Sequence, residues 1–273
     1  MKSNNYSMNT STSNFVILFF SIVFLFSLAG NAQETDSRSK QLLQAMTNVN
    51  GGWKKIASKK DVEFTYIYHD LKKGKDISTE RYIFENEASW GEYKQHEVNI
   101  LPGLAGVAMQ NKINGIPKVT LSGKKTISQE AVNSADFFRS VNYYWFTMMY
   151  KLEDPGTIHK YLGQETVNGV KYHKVCLTYD AKLVGKEVND EFILFFNPKT
   201  HLVDRFMFSL PAWGIKKPIL IMVLDYEKIE DIHIATKRKA FAPNDSGEYF
   251  TLVEFTTKNI KFNNGFTIAD LKL

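Results

Sequence analysis

The sequence predicts a mainly β protein in which a strongly curved antiparallel sheet, or half-open β-barrel, wraps around helices. Three Asn-Gly pairs, at Asn114-Gly115, Asn168-Gly169 and Asn264-Gly265, are each flanked by strand-like residues. Such pairs supply the positive φ angles that two-residue hairpin turns require, so the sheet is expected to be antiparallel. Two segments with helical periodicity accompany the strands, and they predict the helices that the sheet covers.

The first helical segment runs from Ser39 to Ile56. Apolar residues recur in it at steps of four, three, four and three, which keeps them on one face. They are Leu42, Met46, Val49, Trp53 and Ile56. Gly51-Gly52 is expected to interrupt this helix, because glycine is a poor helix former.

Beyond Asp61 the period of the apolar pattern changes to two. Val62, Phe64, Tyr66 and Tyr68 alternate with more polar residues, as on a strand with one buried face. The stretch "NDEFILFFNPKTHLVDRFMFSL" predicts a hairpin of Phe192–Phe196 and Leu202–Leu210, with Asn197–Thr200 as the turn. Further strands are expected at Ile219–Tyr226, Ile234–Phe241 and Glu248–Thr257, which gives a meander of about ten strands.

The second helical segment, Ala135–Leu152, overlaps the stretch "RSVNYYWFTMMYKLEDPG", residues 139–156. Its aromatic residues and methionines concentrate on one face, and its apolar length is too short to cross a bilayer. Asp154-Pro155-Gly156 is expected to end the helix, since proline cannot continue it and glycine reverses the chain at little cost. The same three residues are a candidate hinge.

Residues 1–32 are interpreted as a signal peptide. The apolar run Phe15–Leu28 precedes the small residues of Gly30-Asn31-Ala32. As a helix the run spans about 21 Å, short of the roughly 30 Å hydrocarbon core, which disfavours a membrane anchor. Asn31 stands where a lipobox requires cysteine, so no lipidation is expected. We therefore expect export to the periplasm, or secretion, of one β-rich domain covering residues 33–273.

The chemistry visible in the sequence is sparse. No zinc-protease, nucleophile-elbow or phosphate-loop motif occurs. The single cysteine, Cys176, makes neither an internal disulfide nor a cysteine-based metal site. We expect no cofactor, no metal and a monomer. An unrecognised hydrolase that uses carboxylates such as Glu153-Asp154 and Asp190-Glu191 remains the enzymatic alternative.

The charge is mildly basic, at +5. Lysine clusters such as Lys72, Lys73 and Lys75 are typical of a solvated face, and they are also compatible with attraction to a membrane surface of anionic lipid. Nucleic acid is not an expected partner, because the chain is expected to be exported and carries no nucleic-acid-binding motif.

Aromatic residues are abundant, with 20 Phe and 13 Tyr. They make either a thick, close-packed core or the wall of an apolar cavity that holds a hydrophobic small molecule or acyl chain. An envelope assembly protein without ligand is a further alternative. The residues expected to face a ligand are Trp145, Phe146, Met148 and Met149, with Phe195 and Phe208 from the sheet.

The strings "NYYWFTMMYKLEDPG", "GQETVNGVKYHKVCLTYD" and "FFNPKTHLVDRFMFS" resemble a secreted family of unknown function from Gram-negative bacteria. The shared features are a Trp-Phe-x-Met helix, Leu-x-Asp-Pro-Gly, a Gly-x-x-Tyr hairpin and an Asn-Pro-x-Thr turn. They correspond here to Trp145–Met148, Leu152–Gly156, Gly169–Tyr172 and Asn197–Thr200. The order of elements is also similar to that of the LolA/LolB-type carriers, which ferry lipoproteins across the periplasm. That similarity implies an open β-barrel capped by helices.

Overall fold

The computed structural model describes residues 35–125, 128–180, 183 and 189–273. They belong to one compact unit, Gln33–Leu273. The predicted signal peptide, residues 1–32, lies outside the described residues. None of the helices in the described ranges has the length and apolar character needed to cross a bilayer.

The described residues form one antiparallel sheet of thirteen strands. The strands are β1 Asp61–Asp70, β2 Gly74–Ile83, β3 Ala88–His96, β4 Ala108–Ile113, β5 Ile116–Leu121, β6 Lys124–Lys125, β7 Thr157–Val167, β8 Val170–Tyr179, β9 Phe192–Phe196, β10 Val203–Leu210, β11 Ile215–Ile229, β12 Ile232–Pro243 and β13 Tyr249–Phe262. Their order in the sheet is β6-β5-β4-β3-β2-β1-β13-β12-β11-β10-β9-β8-β7. Because the end strands β6 and β7 do not pair with each other, the sheet is curved but not closed, as predicted.

Irregularities in strand pairing accompany this curvature. The register shifts between Glu63 and Thr65 where β1 meets β13, and between Phe208 and Leu210 where β10 meets β11. Such bulges bend a strand and increase its twist. The concave face holds the main apolar core, to which β1, β2 and β8–β13 contribute.

The first two helices are α1 Ser37–Asn50 and α2 Gly52–Ala57. Asp36 caps α1 by accepting a hydrogen bond from the Ser39 amide at 2.9 Å. Gly51 separates the two helices with a left-handed φ of 85°, so the predicted interruption is confirmed.

The helix predicted over Ala135–Leu152 is instead α3, Gln129–Thr147, followed by a 3₁₀ turn at Met148–Tyr150. The prediction that Asp154-Pro155-Gly156 ends it was therefore wrong. The hydroxyl of Thr147 donates to the Tyr143 carbonyl at 2.8 Å, and the Asn50 amide donates to the Met149 carbonyl at 2.9 Å. These bonds satisfy carbonyl groups near the helix end before the chain reaches the proline.

Two of the three Asn-Gly predictions are confirmed. Asn114-Gly115 joins β4 to β5 and Asn168-Gly169 joins β7 to β8, with positive φ at all four residues. Asn264-Gly265 is not a hairpin turn, because the carboxylate of Asp61 accepts hydrogen bonds from the backbone amides of Asn264, Gly265 and Phe266. The C-terminal segment is thereby fixed to the start of β1.

The predicted hairpin of Phe192–Phe196 and Leu202–Leu210 is confirmed as β9 and β10. The three strands predicted after it exist as β11–β13 and are longer than expected. The sheet has thirteen described strands, more than the predicted ten. One strand that the sequence analysis did not predict is β2, because it carries the polar residues Asp76, Ser78 and Glu80 on its buried face. This reverses the usual pattern of apolar residues inside and polar residues outside.

Candidate functional site

Trp145 lies near the end of α3, where the helix enters the concave face of the sheet. Its ring stacks on Phe206 of β10 with centroids 5.6 Å apart and meets the edge of Phe208 at 5.5 Å. The buried guanidinium of Arg238, on β12, donates to the Trp145 carbonyl at 2.6 Å. Stacking and this charge-assisted hydrogen bond therefore fix the end of α3 against the sheet.

An apolar cavity of about 90 Å³ lies between α3 and the sheet. The helix contributes Phe137, Val141 and Trp145 to its wall, and the sheet contributes Phe208, Met222 and Phe255. Met222 is only 1% exposed, whereas the lining residues Trp213 and Leu252 are 59% and 38% exposed. The cavity therefore has a buried inner end and an outer end at which apolar side chains meet solvent.

A second, smaller cavity of about 10 Å³ adjoins the first, with which it shares Tyr68, Asn99, Phe138 and Asn142. Tyr66, Tyr93 and the carboxylate of Asp76 also line it. The Asp76 carboxylate accepts hydrogen bonds from the Val98 and Asn99 amides at 2.8 Å each, while burial raises its pKa above the ordinary value. Burial likewise raises the pKa of Tyr66 and of Tyr93, so both hydroxyls are protonated at neutral pH.

The six residues predicted to contact a ligand occupy three environments. Trp145 and Phe208 line the apolar cavity. Phe146, Met148 and Met149 lie in the packed core, where Phe146 stacks on Phe64 with centroids 4.7 Å apart. Phe195 lies outside that core, against the Tyr172 ring and the Arg205 guanidinium. The structure therefore brings two of the six together at the cavity.

Sequence reasoning did not single out the other cavity residues. Met222 and Phe255 lie on strands that were predicted, but only the pairing of those strands shows that they face α3. Trp213 follows β10 in a short 3₁₀ helix, and its ring stacks on Phe137 with centroids 6.0 Å apart. The position of Trp213, a large aromatic residue just after a predicted strand, is the sequence feature that could have identified the outer end of the cavity.

Exposed apolar side chains gather around that outer end. This apolar rim consists of Leu71, Trp213, Ile219, Tyr249, Phe250 and Leu252, each at least 38% exposed. The Tyr249 hydroxyl donates to the Ile219 carbonyl at 3.0 Å, and Asp70, beside Leu71, pairs with Val253, so these residues are neighbours. Exposed lysines lie among them, at Lys72, Lys73, Lys216 and Lys217.

A larger groove of about 940 Å³ runs along another side of α3, and its walls are mixed in polarity. Asp136 pairs with Lys112 at 2.7 Å, and Glu87 pairs with Lys151. Each of these carboxylates that line the groove therefore faces a lysine. The groove contrasts with the apolar cavity of about 90 Å³, whose walls are mainly nonpolar.

Two of the carboxylates considered for hydrolysis, Glu153 and Asp154, are held by other partners. Glu153 accepts a hydrogen bond from Thr47 at 2.6 Å, and Asp154 pairs with Lys151 at 3.1 Å. Burial raises the pKa of Asp154. Within the described ranges no three His, Cys, Asp or Glu side chains converge to hold a metal ion.

A model of the DUF6503 family, a family of unknown function, matches residues 13–214. The chain belongs to the DUF6503 family. This finding confirms the resemblance drawn from the Trp-Phe-x-Met and Asn-Pro-x-Thr strings. Among curated proteins, none is similar enough to match the sequence.

The fold of this DUF6503 chain is similar to two solved structures. One is a DUF1329 family protein from Desulfovibrio piger, with a TM-score of 0.53 and 12% identity over 85% of this chain and 96% of the other. The second is a LolA superfamily protein from Nitrosomonas europaea, with a TM-score of 0.50 and 11% identity over 86% and 97% of the two chains. The expected LolA-like fold is thus confirmed.

Proposed function

We propose that this protein acts in the bacterial envelope, after export to the periplasm, by binding or carrying a lipid or acyl chain in the apolar cavity. The observation that carries the proposal is a cavity with mainly apolar walls whose outer end continues into exposed apolar side chains. The resemblance to LolA/LolB-type carriers supports the same class of ligand. The signal-peptide-like residues 1–32 support export.

The size of the cavity limits how much of a ligand it encloses. A volume of about 90 Å³ is small beside the roughly 300 to 1,000 Å³ of pockets that bury drug-sized ligands. The enclosed part therefore holds a short segment of chain, while the remaining carbons lie against the apolar rim or displace Trp213. Each buried methylene contributes about 0.8 kcal/mol, so several of them suffice for transient carriage.

The apolar rim also suggests the surface from which such a ligand is taken. Apolar side chains interleaved with lysines suit the interface of a membrane that contains anionic lipid, where the side chains enter the headgroup region and the lysines attract the charge. We therefore propose that the rim docks transiently on such a membrane, with the outer end of the cavity facing the lipid.

A substitution that fills the cavity tests the binding proposal. Ala240 lines the cavity and is 2% exposed, so Ala240→Leu directs three further carbon atoms toward the available space. We expect the free energy of unfolding to stay constant or rise by about 0.5 to 2 kcal/mol. Affinity for dodecanoic acid carrying a fluorescent group at its far end is expected to fall at least fivefold, as judged by fluorescence titration.

Ala135→Leu is the matched control. Ala135 is fully buried on α3 but does not line the cavity, so the added carbons overpack the core and cost about 1 to 3 kcal/mol without a direct effect on the probe. A wild-type protein that does not bind the probe contradicts the proposal. Unchanged affinity in Ala240→Leu excludes this cavity as the site.

A further inference from the structure

Tyr66 places a hydroxyl group in the smaller of the two adjoining cavities. Its side chain is 3% exposed, and the hydroxyl has no hydrogen-bond partner within the described part of the chain. Buried polar groups in folded proteins nearly always have a partner, so an orphaned hydroxyl beside a cavity points to a group that enters from outside. A phenol donates one hydrogen bond and accepts others.

Tyr93 supplies a second hydroxyl to the same cavity. Its oxygen accepts hydrogen bonds from a terminal nitrogen of Arg139 and from the amide of Asn142, the latter at 3.3 Å. Both lone pairs of the phenolic oxygen are thereby used, and the remaining capacity is to donate. Two hydroxyls whose residues line one cavity, and which are free to donate, are complementary to an acceptor atom.

The surrounding charges favour an acceptor without net charge. Four ionisable side chains near the two hydroxyls are 5% exposed or less, namely Arg139, Arg238, Glu80 and Asp76. Two cations balance two carboxylates. An anionic group would lie beside the Asp76 carboxylate that lines the cavity, and a cationic group would lack an acceptor in the two hydroxyls. Neither is favoured over a neutral carbonyl oxygen.

We propose that the ligand is a neutral acyl ester whose carbonyl oxygen accepts hydrogen bonds from Tyr66 and Tyr93, while its chain passes through the apolar cavity toward the rim. A cavity of about 10 Å³ accommodates roughly one water-sized atom, which matches a single carbonyl oxygen. This inference rests on the proposed function and specifies its ligand class. It places the polar end of the ligand inward and the far end of the chain at the outer opening.

Competition for the fluorescent dodecanoic acid tests the inference, with methyl decanoate, dodecane and decanoate as competitors at pH 7.5. Methyl decanoate is expected to bind about tenfold more tightly than dodecane, the equivalent of one to two net hydrogen bonds, and more tightly than decanoate. Tyr66→Phe removes one oxygen atom. It is expected to lower the ester affinity about fivefold and to leave the dodecane affinity within about twofold.

Tyr143→Phe is the matched control, because the Tyr143 hydroxyl is also buried without a partner in the described residues but lines neither adjoining cavity. It is expected to change neither affinity more than about twofold, and thermal unfolding confirms that both variants are folded. Equal binding of ester and dodecane, or an ester preference that survives Tyr66→Phe, overturns this inference while leaving the proposed function intact. Failure of both the fluorescent probe and its methyl ester to bind the wild type overturns both.

Discussion

Arg139 of α3 and Glu80 of β2 form an ion pair in which neither side chain is exposed to solvent. The two terminal nitrogens of the guanidinium donate to the two carboxylate oxygens at 2.5 and 2.9 Å. The hydroxyls of Ser78 and Tyr82 donate to the same carboxylate at 2.6 and 3.0 Å. Because bidentate pairing and further hydrogen bonds offset the loss of hydration, this cluster fixes α3 to the sheet beside the smaller cavity.

Breaking this ion pair is expected to destabilise the protein strongly. Glu80→Gln leaves the guanidinium of Arg139 buried without a counter-charge, which costs about 3 to 5 kcal/mol in the free energy of unfolding by urea. Glu165→Gln is the control, because Glu165 pairs with Lys174 at 2.8 Å in an exposed position and its loss costs less than about 1 kcal/mol. Equal losses in the two variants would contradict the prediction.

The free energy of unfolding is expected to decrease as the pH falls, in a window set by His159. The side chain is 3% exposed, and burial lowers its pKa from 6.5 to about 4. Since the folded pKa lies below the unfolded one, the contribution is complete above pH 6.5 and is lost as the pH falls toward 4, by about 3 kcal/mol in total. The free energy of unfolding by urea, measured from pH 7 to 4, should vary less with pH in His159→Gln than in the wild type. His201→Gln, which changes an exposed side chain, should leave the pH dependence as it is in the wild type.

The turns show what local sequence determines. Asn114-Gly115 and Asn168-Gly169 form hairpins because their positive φ angles suit a two-residue turn, a property contained in the dipeptide itself. Asn264-Gly265 has the same composition, but a carboxylate distant in sequence, that of Asp61, binds its amides. A tertiary contact of this kind leaves no local signal, so the dipeptide alone could not distinguish the two outcomes.

The side-chain direction of aromatic residues was equally hard to predict on strands with two apolar faces. Phe208 faces α3 and the cavity, whereas Phe195 faces away and packs on Tyr172. On β9 both faces are covered, so no alternation of polar and apolar residues shows which one is inward. The strand was predictable, but which face pointed inward required the register with β8 and β10.

The contrast between a core residue of α3, Phe146, and an exposed residue at the cavity opening, Trp213, is testable. Phe146→Ala removes a ring that is 7% exposed and stacked on Phe64, at an expected cost of about 3 to 5 kcal/mol. Trp213→Ala removes an exposed ring at the cavity opening and is expected to cost about 1 kcal/mol or less. Fluorescence titration should show weaker probe binding in the Trp213 variant despite its retained stability. The reverse pattern would place the ligand against Phe146.

The last prediction concerns membrane docking through the apolar rim. A lysine close to an anionic bilayer contributes about 1 kcal/mol, so Lys216→Glu combined with Lys217→Glu should lower affinity for vesicles of phosphatidylglycerol and phosphatidylethanolamine at least tenfold. Co-sedimentation measures this affinity, and a rise in salt should weaken the wild-type interaction because screening shortens the range of the charges. Lys258→Glu with Lys261→Glu is the control, since these exposed lysines lie near the opposite end of β13 from the rim. If the two double variants lose affinity equally, attraction depends on net charge alone and the rim is not the docking surface.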